Sequence, residues 1–246
     1  MSQPSVVLIS GWAMPAMAME TLAAALDADH RRVSVVQLPG LVDEPASNYT
    51  WDALLDYLDQ HLFEKPVVLV GWSLGGVLAS LYASRYPEHV SGVVTLATNA
   101  CFIRQDHWPA AMEPAMFAGF QAGMQDSGES TLQQFAMLCS AGSDDRKARA
   151  RELQALISET ELAPRVLQSL LGLLGESDLC SVLADIRCPV IHILGENDAL
   201  VPAAAAEQLG ERYPRHRVHL LKGGHCFFMD DPSMVVREIQ YLCNQS

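Results

Sequence analysis

Apolar and polar positions along the chain fall into two regimes. In the first hundred residues, short apolar runs alternate with segments of helical spacing. Residues 5–9 and 33–37 are short and rich in β-branched side chains, which predicts strands. Residues 17–28 between them have helical spacing and strong helix formers. The stretch 38–49 carries Pro39, Gly40, Pro45 and Asn48 and reads as loop. Thr50 is placed to cap a helix running to about Leu62, with Leu54, Leu55, Leu58 and Leu62 on one face. Pro66 precedes residues 67–70, a continuous apolar run suited to a central parallel strand covered on both faces. Residues 74–86 read as helix and 90–96 as strand. This β-α-β-α-β rhythm predicts an α/β fold, with a mostly parallel central sheet and helices on both faces.

From about Cys101 to Ala184 the rhythm stops, and helical patterns dominate with polar breaks at 125–130 and 140–145. It resumes with strands at 189–194 and 217–221 and helices at 203–213 and 232–243. The expected organisation is a core domain made of residues 1–100 and 185–246. Residues 101–184 are then a helical cap, or lid, inserted before the strand at 189–194. Such a cap covers the carboxyl edge of the sheet, where open α/β sheets bind ligands.

Composition narrows the function classes. Half of the 246 residues are apolar and 18% are charged, which fits one globular unit. The net charge of -13 makes the chain a poor general partner for nucleic acid or an anionic membrane. No apolar run approaches a membrane span, and the N-terminus lacks the basic and apolar regions of a secretory signal. None of the six cysteines forms a Cys-x-x-Cys pair or has zinc-ligand spacing with histidine. Reduced thiols in the cytoplasm are expected, with no metal and no organic cofactor. The state of assembly is left open, with a monomer admitted.

The strongest chemical signal is Gly71-Trp72-Ser73-Leu74-Gly75-Gly76, set between the strand at 67–70 and the helix at 74–86. This is the context a G-x-S-x-G nucleophile elbow requires. A sharp strand-to-helix turn there presents the Ser73 hydroxyl as nucleophile, and the helix N-terminus aims backbone N–H groups at an oxyanion. Such an elbow is followed in chain order by an acid and then a histidine. Asp198 and Glu196 both lie in the turn after the strand at 189–194. His225 follows Gly223 and Gly224 after the strand at 217–221, and the glycine pair predicts a flexible turn that carries its imidazole over Ser73 as general base. His192 and His219 lie inside strands and read as structural. The oxyanion donors expected are the backbone N–H groups of Leu74 and of Trp12, in the loop after the first strand.

With these residues in place, the chain resembles the pimeloyl-[acyl-carrier protein] methyl ester esterases of biotin synthesis, a group of the α/β-hydrolases. The resemblance runs over nearly the whole chain. Gly11-Trp12, Leu38-Pro39-Gly40, the elbow and the Gly-Gly-His turn are general hydrolase features. More specific are Asn99-Ala100-Cys101-Phe102, Asp106-His107-Trp108-Pro109, Gly119-Phe120 and Phe135-Ala136-Met137-Leu138-Cys139. The resemblance implies a serine carboxylesterase that cleaves the methyl ester of a pimeloyl chain tethered to an acyl carrier protein. It favours Asp198 over Glu196 as the acid. It implies substrate contacts at Trp12, Ser73, Leu74, Phe135, Ala136, Met137, Leu138, Cys139 and His225. It also implies carrier contacts on the cap, where Arg146, Lys147, Arg149 and Arg151 supply a basic run; a solvated helix surface paired with Asp144, Asp145 and Glu152 is the other reading. Ser10 stands where the family often has a histidine before the Gly-Trp pair.

Met112, Met116, Phe117, Phe120 and Met124 form a stripe at helical spacing that either lines an acyl channel or is plain helix core. Two rival functions remain: a general esterase for short free esters, and a ligand-binding protein on a hydrolase scaffold. Serine at position 73 rules against dehalogenase and epoxide hydrolase chemistry, which needs aspartate there. A cofactor-free haloperoxidase or a carbon–carbon hydrolase would keep the same three residues.

Overall fold

The computed structural model describes residues 4–28, 32–39, 49–62, 64–161 and 163–245. Gly40 and most of the loop expected at 38–49 lie outside the described residues. The described strands are β1 (Val6–Ile9), β2 (Val33–Val36), β3 (Val67–Trp72), β4 (Val90–Leu96), β5 (Val190–Gly195) and β6 (Arg217–Leu221). They form one sheet in the order β2-β1-β3-β4-β5-β6, and every neighbouring pair is parallel. The central strands β1, β3 and β5 are buried along their whole length. β6, at the edge, is half exposed, as its Arg-Val-His-Leu-Leu sequence requires.

Helices α1 (Glu20–Asp27), α2 (Trp51–Gln60), α3 (Leu74–Arg85), α9 (Ala204–Arg212) and α11 (Ser233–Cys243) follow strands, and a short α10 (Phe227–Asp230) precedes α11. Thr50 caps α2 as expected, its Oγ1 accepting from Ala53 N–H at 3.2 Å. The helix buries Leu54, Leu55 and Leu58. α3 is buried on nearly all sides because it lies between the sheet and α2 and a later helix, Cys180–Asp185.

Between β4 and β5 the chain forms α4 (Pro114–Asp126), α5 (Gly128–Cys139), α6 (Arg146–Ser158), α7 (Pro164–Glu176) and α8 (Cys180–Asp185). α4 packs on α5 and α7, and α5 on α6, while α8 packs against α3. Among the described residues no helix is long and apolar enough to cross a membrane.

The strand order places a switch point in the sheet. From β1 the chain moves outward to β2, then returns to β3 on the other side and continues to β6. Crossovers on opposite sides of β1 leave a crevice at the carboxyl ends of β1 and β3, which is where parallel sheets bind ligands. Ser10-Gly11-Trp12 leaves one of these ends and Ser73 the other.

Candidate active site

Ser73 joins β3 to α3 with φ 54° and ψ -116°. A positive φ strains a residue that carries a Cβ, by ~1–3 kcal/mol, and persists only where the surroundings enforce it. They do so here. Ser73 N–H donates to Leu96 O at 2.8 Å, and Ser73 O accepts from Gly76 N, Val77 N and Thr98 Oγ1 at 2.9, 3.2 and 3.0 Å. The turn is also crowded. A Cβ on Gly71 would lie 2.2 Å from Gly75 O, and one on Gly75 would lie 2.4 Å from Ile9 O. Leu74 opens α3, so its N–H has no partner within the helix.

Asp198 lies in the turn after β5 with its side chain fully buried. Its Oδ1 accepts from Leu200 N at 2.8 Å and Val201 N at 3.0 Å. Its Oδ2 accepts from His225 Nδ1 at 2.8 Å. Glu196, in the same turn, is exposed. His225 is held through its backbone, since Trp72 Nε1 donates to His225 O at 2.8 Å. The acid turn and the histidine turn are tied by Asn197 N–H donating to Gly223 O at 2.8 Å. His225 is completely buried, and its Nε2 has no hydrogen-bond partner among the described residues. An imidazole with one nitrogen fixed by a carboxylate and the other free is set to accept a proton from a serine hydroxyl.

Close packing requires the two glycines before His225. Gly223 has φ 127°, and a Cβ on Gly224 would sit 1.5 Å from Ala141 O. The histidine turn is therefore packed directly against the end of α5. Cys226 beside it, and Cys139, have thiols raised by burial, Cys226 to about 12. Neutral thiols do not compete with Ser73 as nucleophiles.

A narrow apolar cavity opens at Ser73, lined by Trp12, Phe102, Met112, Met116, Phe117, Phe120, Phe135, Leu138, Leu171, Leu174 and Leu200. Its open volume is about 20 Å³, room for about one water molecule. Trp12 joins the core to the insertion: its Nε1 donates to Leu167 O at 2.8 Å, and its ring sits edge-on to Phe135 and Phe120 at 4.9 and 5.8 Å. Ala13, next in the chain, has φ 57°. Ser10 is buried, and its Oγ has no partner among the described residues.

Of the five-residue stretch on α5, Phe135 and Leu138 reach the cavity. Ala136 and Cys139 are fully buried elsewhere, and Met137 is 47% exposed. The aromatic and methionine stripe divides. Met116, Phe117 and Phe120 line the cavity from α4, and Met112 does so from the extended segment before it. Met124 instead faces a separate groove of about 720 Å³ between α4, α5, α6 and α7. Leu171 and Leu174 on α7, and Leu200, are lining residues that the sequence does not single out, because an apolar helix face reads the same whether it meets core or cavity.

The basic run also divides. Arg149 is 12% exposed and bound to Asp230 at 2.7 Å and to Glu152, which removes it from any open patch. Asp145 caps α6 through Ala148 N–H at 2.9 Å, and Asp144 pairs with Lys222 at 2.7 Å. Arg146, Lys147 and Arg151 are exposed, and none joins an ion pair among the described residues. Asn99 and Trp108 shape the loop after β4: Asn99 Oδ1 accepts from Trp108 Nε1 at 2.8 Å, and its Nδ2 donates to Ala110 O at 2.7 Å.

Comparison with known proteins places this geometry in context. The alpha/beta hydrolase family profile matches residues 6–238. The pimeloyl-[acyl-carrier protein] methyl ester esterase of Aeromonas salmonicida is 33% identical over 244 residues, covering 97% of this chain and 94% of that protein. The biotin biosynthesis bifunctional protein BioHC of Cellvibrio japonicus is 32% identical over 98% of this chain and 47% of its own length. Among solved structures, a bromoperoxidase from Bacillus anthracis superposes with a TM-score of 0.88 at 21% identity, covering 99% of this chain and 92% of its own.

Proposed function

The chain belongs to the alpha/beta hydrolase family and, within it, to the pimeloyl-[acyl-carrier protein] methyl ester esterases, and from this we propose that it hydrolyses the terminal methyl ester of a carrier-bound pimeloyl chain through Ser73, His225 and Asp198. The observation that carries the chemistry is the buried Asp198–His225 hydrogen bond of 2.8 Å with Nε2 left without a partner. His225 Nε2 takes the Ser73 proton as Oγ attacks the ester carbonyl carbon. The oxyanion is met by the N–H groups of Leu74 and Trp12. The intermediate collapses, His225 returns the proton to the departing methoxide, and methanol leaves. Water then enters by the same base-assisted route, cleaves the acyl-serine and releases the free carboxylate on the carrier.

Residues 101–184 serve as the cap over this site. An acyl chain does not fit a cavity of about 20 Å³, so Phe120, Phe135 and Leu138 must part to admit it. Arg146, Lys147 and Arg151, which join no ion pair among the described residues, present three cations on α6 suited to an acidic carrier. Every group in this scheme comes from one chain, so a monomer suffices, and a carrier-bound biosynthetic substrate implies work in the cytoplasm.

The test compares kcat/KM for methyl pimeloyl-carrier with that for a short free ester, beside Ser73→Ala. Preference for the carrier-bound ester, with no turnover by the variant, supports the proposal. Turnover of the free ester alone would reassign the protein to general esterases. Activity retained in Ser73→Ala would remove the nucleophile. The likeness to a bromoperoxidase at 21% identity bears on the fold alone.

A further inference from the structure

The two ends of the helical insertion meet at a cluster that ester hydrolysis does not use. The chain leaves β4 into a loop closed by a parallel bridge, Ile103–Met112, and an antiparallel one, Gln105–Trp108. Cys101, at the start of this loop, pairs antiparallel with Asp178, and Leu179 N–H donates to Ala100 O at 2.8 Å. Asp178 and Cys180 stand where the chain re-enters the core, and Cys180 O accepts from Tyr213 Oη at 2.9 Å. This clamp gathers Cys101, His107, Asp178 and Cys180 so that their ligand atoms all lie within 4.8 Å of one another.

The spacings suit a shared ion. Cys101 Sγ lies 4.0 Å from Cys180 Sγ and 3.9 Å from His107 Nε2, and His107 Nε2 lies 3.0 Å from Asp178 Oδ2. Zinc–ligand bonds of ~2.0–2.3 Å at tetrahedral angles put ligand atoms roughly 3.3–3.8 Å apart. These three pairs are within a few tenths of an ångström of a tetrahedral edge, and the other three, all within 4.8 Å, close onto the ion as it binds. Asp178 Oδ1 accepts from Cys180 N–H at 2.8 Å, which orients the carboxylate and leaves Oδ2 to face the cluster. We propose that Cys101, His107, Asp178 and Cys180 bind a zinc-class divalent cation, which staples the root of the insertion to the core. None of the four lines the cavity at Ser73.

Two sulfurs, an imidazole and a carboxylate favour zinc over the harder cations, and four protein ligands leave no open position for catalysis. Binding replaces the His107–Asp178 hydrogen bond. The imidazole proton moves to Nδ1, both thiols bind as thiolates, and two protons go to solvent. The thiols are buried while the His107 and Asp178 side chains are each 49% exposed, so the ion arrives from the solvent side. A Cys101–Cys180 disulfide is the competing use of the thiols. It would require the sulfurs to close from 4.0 Å to about 2.05 Å and would leave His107 and Asp178 without a role.

The test titrates the reduced, chelator-stripped full chain with Co²⁺. One equivalent bound, with thiolate-to-cobalt absorption in the near ultraviolet and intense visible bands of tetrahedral cobalt, is expected. Zn²⁺ should displace it and raise the Tm. His107→Ala and Asp178→Asn alter exposed side chains and should keep the fold and the turnover of a short free ester while losing the tetrahedral spectrum. Cys180→Ser should weaken the charge-transfer band. The proposal is overturned by substoichiometric uptake in the reduced chain, by a spectrum unchanged in His107→Ala and Cys180→Ser, or by a disulfide that forms in air with no metal taken up after its reduction. A failed esterase assay would leave this readout untouched.

Discussion

Asp198→Asn isolates the role of one oxygen. The carboxylate divides its work: Oδ1 accepts from Leu200 N and Val201 N, and Oδ2 accepts from His225 Nδ1 at 2.8 Å. An asparagine must keep its carbonyl oxygen on the two backbone donors, because its NH₂ cannot accept. The NH₂ then faces Nδ1, which has to become the acceptor. The imidazole proton is driven to Nε2, the nitrogen that must be empty to take the Ser73 proton. In a buried triad of the trypsin type this tautomer error costs ~10⁴ in kcat. At about 1.36 kcal/mol per tenfold, the same loss here is about 5.4 kcal/mol of transition-state stabilisation.

The assay is kcat on a chromogenic short ester, with a thermal melt to show that the fold is kept. The Oδ1 bonds survive in the variant, so the melt should hardly move. Glu196→Gln, exposed in the same turn, is the control and should be silent. A loss smaller than tenfold in Asp198→Asn, or a larger loss in Glu196→Gln, would refute the assignment of the acid.

Gly75→Ala should lower stability by ~1–3 kcal/mol and activity by more than tenfold, since its Cβ would meet Ile9 O at 2.4 Å and Ser10 O at 2.5 Å and push on the loop that carries Trp12. Gly119→Ala on α4 has nothing within 4 Å and should gain ~0.5–1 kcal/mol; calorimetry giving equal shifts would count against the packing argument. His192 is buried against Thr95 and His216, and burial lowers its pKa to about 3 and that of His216 to about 4, from 6.5. The unfolded chain therefore binds more protons below pH 6.5, so this stability is present above 6.5 and is lost as pH falls toward 3–4. Urea melts should lose up to ~1.4 kcal/mol per pH unit for each histidine, and His192→Gln with His216→Gln should flatten that slope; parallel slopes would show that the pair is not responsible. Lys147→Glu with Arg151→Glu should lower kcat/KM for a carrier-bound ester by tenfold or more while sparing free esters, and equal loss on both would dismiss α6 as a carrier surface.

What could be read from the sequence follows from how locally each feature is encoded. The six strands fall within a residue or two of their apolar runs, because a strand covered on both faces, such as β3, has no polar position to blur its limits. The placement of Ser73, Asp198 and His225 in turns at strand ends could be read from the strand pattern and chain order, while their joint role rests on the proposal above. The five residues at 135–139 could not be resolved as a block. A helix turns about 100° per residue, so only positions three or four apart share a face, and Phe135 and Leu138 alone reach the cavity. Met112 fails the helical stripe for a related reason, since α4 begins at Pro114.

Arg149 shows the limit of charge patterns. Its neighbours in sequence are solvated, yet Asp230, from beyond the last strand, takes its guanidinium. Cys101 and Cys180 lie 79 positions apart, and no spacing rule reaches over so long a separation. They meet because β4 and α8 bring the two ends of the insertion side by side against α3. The same closure ties the start and the end of the segment between β4 and β5 to each other. A bond across that closure, by metal or otherwise, constrains where Phe102, next to Cys101 and on the cavity wall, can stand when the acyl chain enters.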